Sequence, residues 1–344
     1  MVAESLTAAL SEGIISAAIA VYNPKPELFR KAVESVLCQT LPIKELILVN
    51  DGGNEAFRSV LPEDSRIRIF SKPNEGVAAT RNFAIAQSLG CYIAFLDQDD
   101  YWYPEKLQEQ MRMIRSPDEV CMVISPVDIV DNQGMKITKQ NRVRVAEGYY
   151  RKILKPDILL ALAEGNFIYS STPLIHRKVF ERVGLFDPFT KPHDDWDMYL
   201  RIVFAGIPVY CYRDHALSVW RSHDANESGK VQAMLISKCR VEKKLLALTH
   251  DRKLKAILNT NLLVDYVGRD QIVFKSGKYR IYRTLLRRHL SQLFFDRFNY
   301  RGDMAELYRD LSRRVRKAFF KASRRYIVSY FLRCIMDPDF QTEV

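Results

Sequence analysis

No two of the six cysteines (Cys38, Cys91, Cys121, Cys211, Cys239, Cys334) stand in C-x-x-C spacing. This wide scatter fits neither a zinc site nor a disulfide framework, and favours a reducing compartment, the cytoplasm. No apolar run approaches the ~20 residues that a membrane-spanning helix needs. Glu4 and Glu12 precede the first apolar run, with no basic segment before it, so a secretory signal is not expected. The glycines never fall as G-x-G-x-x-G, and no glycine-rich loop carries a phosphate-binding lysine, so a dinucleotide fingerprint and a P-loop are both missing. Internal repeats and low-complexity segments are absent too.

What is present is a globular composition, with 47% hydrophobic and 27% charged residues over 344 positions, enough for one large domain or two ordinary ones. The net charge of +11 is unevenly placed. Residues 231–344 hold 25 basic and 11 acidic side chains, whereas residues 1–230 hold 27 and 30. The chain therefore divides into a near-neutral region, 1–230, and a basic, mostly helical extension, 231–344.

The near-neutral region alternates strands with helices. Ile14 to Val21 reads as a buried strand closed by Tyr22-Asn23-Pro24, and Glu45 to Val49 as a second, stopped by Asn50-Asp51-Gly52-Gly53. Between them Phe29, Ala32, Val33, Val36 and Leu37 share one helical face. Ile67 to Phe70 is a third strand. A helix follows from Val77 to Leu89, with Gly90 as its C-cap. Tyr92 to Leu96 is a fourth strand, ending in Asp97-Gln98-Asp99-Asp100, and Pro104 suits the first position of the next helix. Such alternation predicts a mostly parallel α/β sheet with ligands at the carboxyl ends of its strands.

Asp97 and Asp99 flank one residue just past a buried strand. Paired carboxylates there suit a hard divalent cation, Mg²⁺ or Mn²⁺, completed by substrate phosphate oxygens. The plainer alternative is a surface acidic turn, which the extra charge of Asp100 makes less comfortable. His193-Asp194-Asp195-Trp196-Asp197 is a second acidic cluster. Its carboxylates fit the start of a helix Asp195–Ala205, where the dipole favours them. Trp196, Met198, Tyr199 and Leu200 also give Asp195 a partly apolar setting, which raises a carboxylate's pKa toward that of a general base.

Several segments together resemble the inverting family 2 glycosyltransferases over roughly residues 14–225. They are Ala20-Val21-Tyr22-Asn23, Val49-Asn50-Asp51-Gly52, Asn74-Glu75-Gly76 with Arg81-Asn82, and Phe95 to Asp100 with Pro104. His193 to Asp197 and Trp220-Arg221-Ser222-His223 complete the set. Two departures are visible. Asn50-Asp51-Gly52-Gly53 stands where Asp-Asp-Gly-Ser is common, and Asp194-Asp195 stands where Glu-Asp is common.

The resemblance implies a GT-A nucleotide-sugar-binding fold with a mostly parallel central sheet, followed here by the helical extension. It implies a nucleoside-diphosphate sugar donor and a saccharide, lipid-linked or protein acceptor. Tyr22 and Asp51 would line the nucleotide pocket, Arg81 would contact the donor, and Asp97 and Asp99 would form the D-x-D. Asp97 and Asp99 would hold the Mn²⁺ or Mg²⁺, Asp99 as the direct ligand, with His223 at the metal or the pyrophosphate. Asp195 would be the base, with Asp194 as the competing assignment. Asn166, Phe167, Ser170, Ser171 and Thr172 could face the acceptor or form a polar loop.

In the extension, Val315, Phe319, Ala322, Tyr326 and Tyr330 recur at helical spacing among Arg313, Arg314, Arg316, Lys317, Lys321, Arg324 and Arg325. A basic amphipathic helix of this kind can lie on an anionic membrane, peripheral to its inner face, or pack on the catalytic region with a solvated basic face. Nucleic acid is not expected as a partner, because no recognition motif accompanies the charge. The rival readings are a catalytically silent nucleotide-sugar-binding scaffold at the membrane, and a nucleotidyltransferase, which would release pyrophosphate.

Overall fold

The computed structural model describes residues 14–137, 149, 153, 157–223, 231–273 and 313. Two compact units divide the chain, Met1–Val231 and Gln232–Val344.

The first unit is built on a seven-stranded sheet. Its strands are β1 (Ile15–Val21), β2 (Glu45–Asp51), β3 (Ile67–Lys72), β4 (Tyr92–Asp97), β6 (Met122–Ile124), β8 (Leu174–His176) and β9 (Val209–Cys211). The order across the sheet is β3-β2-β1-β4-β8-β6-β9. The first four run parallel, β8 is antiparallel to β4 and β6, and β9 is parallel to β6. β1 is buried almost throughout, as expected of a central parallel strand covered on both faces. Helix α1 (Pro26–Leu37) lays Phe29, Ala32, Val33 and Val36 on the sheet, with Phe29 edge-on to Phe57 at 5.6 Å. Burying a large apolar side chain such as Phe29 contributes roughly 1.5–3 kcal/mol.

Strand order reverses at β1. β2 and β3 lie on one side of it and β4 on the other. The carboxyl ends of β1 and β4, carrying Tyr22 and Asp97, therefore flank the switch point where α/β sheets leave a crevice. A smaller sheet, β5-β10-β7, comprises β5 (Tyr101–Trp102), β7 (Val127–Val130) and β10 (Ser218–Arg221). β10 delivers Arg221 and His223 to the same end.

Helix α2 (Val77–Gln87) follows β3, and α3 (Lys106–Arg112), α4 (Ile158–Ala163) and α5 (Lys178–Val183) follow in turn. α6 (Asp194–Phe204) begins one residue earlier than the sequence suggested. Two expectations are corrected. α2 is capped at Ser88 rather than Gly90. Gly90 instead lies so close to β1 that a Cβ would meet the Ser16 nitrogen at 2.6 Å, and its N–H donates to Ser16 Oγ at 2.8 Å. Pro104 sits in the turn ahead of α3, which starts at Lys106, because the Pro104 and Tyr103 carbonyls accept bonds from Thr40 and Gln39.

In the second unit, α7 (Val231–Leu248) buries Cys239, Val241 and Leu245, and α8 (Arg252–Val273) buries Leu254, Ile257 and Leu258. No described helix is long and apolar enough to cross a membrane. Apart from Arg313, which is helical and exposed, the residues named in the basic row lie outside the described residues.

Candidate active site

The site is assembled at the carboxyl ends of β1, β2 and β4 and the N-termini of α2 and α6. Asp51 closes β2. Its carboxylate accepts the backbone N–H groups of Glu75 (3.0 Å) and Gly76 (2.9 Å) and the Lys72 ammonium (2.5 Å). Burial pushes this carboxylate up, but the bonds from Lys72 and Glu75 outweigh it and leave Asp51 below its ordinary value. Asp51 thus ties the loop entering α2 to the sheet. Gly52 has φ +75°, and a Cβ there would meet the Asn74 nitrogen at 2.7 Å, so this turn requires glycine.

Tyr22 is 49% exposed at the end of β1. Its N–H donates to Gln98 Oε1 (2.9 Å), and Gln98 Nε2 donates to its carbonyl (3.1 Å). The residue between the two D-x-D carboxylates is therefore a two-point strap across the switch point. Sequence pattern gave no sign of that role.

Asp97, Asp99 and Asp100 point to different partners. Asp97 gives Oδ1 to Arg81 (2.9 Å) and Oδ2 to the Ser170 hydroxyl (2.5 Å). Asp99 Oδ2 lies 2.6 Å from His223 Nε2. Burial first, then the charge of Asp97, push Asp99 up, and His223 opposes them. Asp100 is buried and accepts from the Arg221 N–H (2.8 Å) and the Ser171 hydroxyl (2.6 Å). Asp100 fastens β10 to the end of β4, and so brings His223, two residues beyond Arg221, to Asp99.

Arg81, in the second turn of α2, is buried between two acids. Nη2 donates to Asp97, and Nη1 donates to Asp194 Oδ2 at 3.0 Å. Its guanidinium also lies over the Phe186 ring, 5.6 Å from the centroid. Burial works against the charge, but Asp97 and Asp194 hold Arg81 firmly protonated. Next to it, Asn82 clamps the Phe186 backbone through two 2.9 Å bonds, fixing the segment that leads to α6.

At the start of α6 the acids separate in the same way. Asp194 is buried on Arg81, and Asp197 pairs with Arg201 at 2.8 Å. Asp195 is partly exposed and accepts from neutral groups, Asn166 Nδ2 (3.2 Å) and the Trp196 N–H (2.6 Å). Burial, then the adjacent charge of Asp194, push Asp195 up to about 7. The 166–172 segment thus reaches both acid clusters. Ser170 and Ser171 bond Asp97 and Asp100, while Asn166 bonds Asp195.

Glycosyl transferase family 2 has a family model that matches residues 16–184, from β1 through α5. The chain carries a family 2 glycosyltransferase domain. An uncharacterised glycosyltransferase of Rickettsia typhi is 29% identical over 218 residues, covering 62% of this chain and 65% of that one. One from Haemophilus influenzae is 26% identical over 229 residues, covering 65% and 82%. The match spans only 36% of a Rickettsia felis relative. The fold of the domain is that of Staphylococcus aureus TarS. Residues 1–349 of TarS, in complex with UDP-GlcNAc, align with a TM-score of 0.56 at 14% identity over 92% of both chains.

Every site residue expected from the sequence lies at this end of the glycosyltransferase domain. Asp99 Oδ2 and His223 Nε2 lie 2.6 Å apart and bond each other; the carboxylate is the ligand type that Mg²⁺ or Mn²⁺ prefers. Asp97 instead faces Arg81 and Ser170. No group of three or more His, Cys, Asp or Glu side chains gathers at one point among the described residues.

Proposed function

We propose that this chain is an inverting glycosyltransferase that moves a sugar from a nucleoside-diphosphate sugar to an acceptor hydroxyl. The observation that carries the reading is the unequal setting of two adjacent carboxylates. Asp194 is buried in an ion pair with Arg81, whereas Asp195 stays partly exposed, its bonds among the described residues coming from neutral donors, and is pushed up to about 7. A base near neutrality is matched to taking a proton from an alcohol. Asp195 accepts the hydroxyl proton as the acceptor oxygen forms its bond to the anomeric carbon. The bond from that carbon to the diphosphate breaks on the opposite face, so one displacement inverts the centre.

Tyr22 and Asp51 would border the nucleotide, and the Asp97–Arg81–Asp194 chain would hold the diphosphate side and the base side in one geometry. A divalent cation held by Asp99 and His223 would neutralise charge on the departing diphosphate. The excess positive charge of residues 231–344 supports attraction of the extension to an anionic membrane surface.

The test is a donor screen. UDP-GlcNAc, UDP-glucose, UDP-galactose and GDP-mannose are each added with Mg²⁺ or Mn²⁺, and melting temperature and nucleoside-diphosphate release are read. A bound donor should stabilise the chain and release its nucleoside diphosphate. Release of pyrophosphate would indicate nucleotidyl transfer instead. Binding without turnover toward any saccharide or lipid-linked acceptor would favour the silent scaffold.

A further inference from the structure

Asn166 lies 29 residues before Asp195 and reaches it from a separate segment. Its Oδ1 accepts the Ile168 N–H at 3.1 Å, which orients the amide and leaves Nδ2 as the donor toward Asp195 Oδ2 at 3.2 Å. Asp195 Oδ1 takes the Trp196 N–H at 2.6 Å. One donor on each oxygen sets the plane of the carboxylate, and among the described residues its other lone pairs take no further bond, leaving them to an acceptor hydroxyl.

Charged and titratable groups around Asp195 include Asp194 beside it, His193 at the cap and Asp197 in the first turn of α6, Tyr199 one turn along, and Arg81 and Asp97 beyond. Burial, Asp194 and Asp97 favour the neutral carboxyl, whereas Arg81 and the Trp196 N–H favour the anion. A neutral amide donor adds to the second group, because a bond to the charged form stabilises it. Asn166 is itself exposed, so replacing it leaves no buried hole.

We infer that Asn166 is a positioning residue for the base, orienting the Asp195 carboxylate toward an acceptor hydroxyl. This rests on the reading of Asp195 as the base. Two variants separate the contact from the local turn. Asn166→Ala loses both the donor and the acceptor for Ile168. Asn166→Asp keeps the acceptor but sets an anionic oxygen against Asp195.

The experiment is a ¹³C-carboxyl NMR titration of the full chain, with the Asp195 signal assigned from Asp195→Asn. It is paired with the pH profile of kcat for donor turnover on UDP-GlcNAc, or on whichever sugar nucleotide the screen selects. The Asp195 midpoint should rise by about one pH unit in Asn166→Ala, the scale of a hydrogen bond to a charged group. It should rise further in Asn166→Asp. The acidic limb of kcat should move by the same amount, with donor KM unchanged.

A role confined to the turn would leave Asn166→Asp like wild type, and that result, or an unmoved midpoint in Asn166→Ala, overturns the inference. If the NMR midpoint moves while the kcat limb does not, Asn166 controls Asp195 but Asp195 is not the base. That outcome overturns the catalytic role assigned to Asn166 through the failure of the underlying reading.

Discussion

Arg81 Nη1 lies 3.0 Å from Asp194 Oδ2, joining two buried residues 113 positions apart. Because the same guanidinium also holds Asp97, a single side chain couples the end of β4 to the start of α6.

Removing that cation should be costly. Arg81→Leu leaves two uncompensated carboxylates, one of them deeply buried, and should lower stability by about 3–5 kcal/mol. Arg81→Lys, with a single point charge, should recover only part of it. Adding Asp194→Asn to Arg81→Leu should restore stability relative to Arg81→Leu alone. Urea unfolding of wild type, Arg81→Leu, Asp194→Asn and the double variant measures this, and additive losses would show that the pair is not coupled.

Asp195 should impose a pH dependence of opposite sign on activity and stability. Turnover should rise with pH through about 7, as the base ionises, and then level. The folded-state pKa of this carboxyl lies above its unfolded value, so between about 4 and about 7 the folded chain binds the extra proton. Stability from this group therefore falls as pH rises through that window. Asp195→Asn should lose at least ~100-fold in turnover, the scale of general-base catalysis, with donor affinity near wild type. It should also melt higher than wild type above pH 7. A crippled Asp194→Asn beside a fully active Asp195→Asn would move the base by one residue.

Asp99→Ala and His223→Ala should each weaken Mg²⁺- or Mn²⁺-dependent donor binding, measured by calorimetry with the fold checked by circular dichroism. Undiminished turnover of Asp99→Ala in the presence of a chelator would remove the metal role.

Lys106 is fully buried, with Nζ 2.7 Å from Gln110 Oε1 and 4.3 Å from the Trp102 ring centroid. Burial pushes its pKa well below the ordinary lysine value. The unfolded chain then binds the extra proton below about pH 10.4, so stability from this group increases as pH rises toward that value. Lys106→Met, of similar length and apolar, should stabilise the chain at pH 7 and flatten the slope between pH 7 and 9.5. An unchanged slope in denaturant titrations would mean that Lys106 keeps its charge.

The full chain should sediment with anionic liposomes at low salt and not with neutral ones, at roughly 1 kcal/mol per basic residue near the surface. Raising ionic strength should release it. A chain ending near residue 310 should bind much more weakly. Equal sedimentation of both would remove the terminal basic row as the anchor. If neither sediments, the tail would be better read as packing on the catalytic domain, and truncation should lower the melting temperature.

β1, β2 and β4 were legible because each holds a nearly continuous apolar run ended by a polar turn, and β3 because Ile67, Ile69 and Phe70 form a short apolar stretch stopped by Lys72-Pro73-Asn74. β5 to β10 were missed because each has only two to four residues, too short for any period to register. Asp97, Asp99, Asp194 and Asp195 stood out as carboxylates clustered at element ends, a local property of the chain. The roles of Gln98 and Asn82 did not, and Asn166 reads only as an acceptor-facing or loop residue, since an uncharged amide looks alike whether it straps two segments or faces water. Sequence by itself therefore determined the parallel sheet, the acids at its carboxyl end and the basic extension. Only the tertiary structure decided which acid pairs with which cation, leaving Asp194 bound to Arg81 and Asp195 to neutral donors. Charge pairing depends on distances across 113 residues of chain, and no local pattern records those distances.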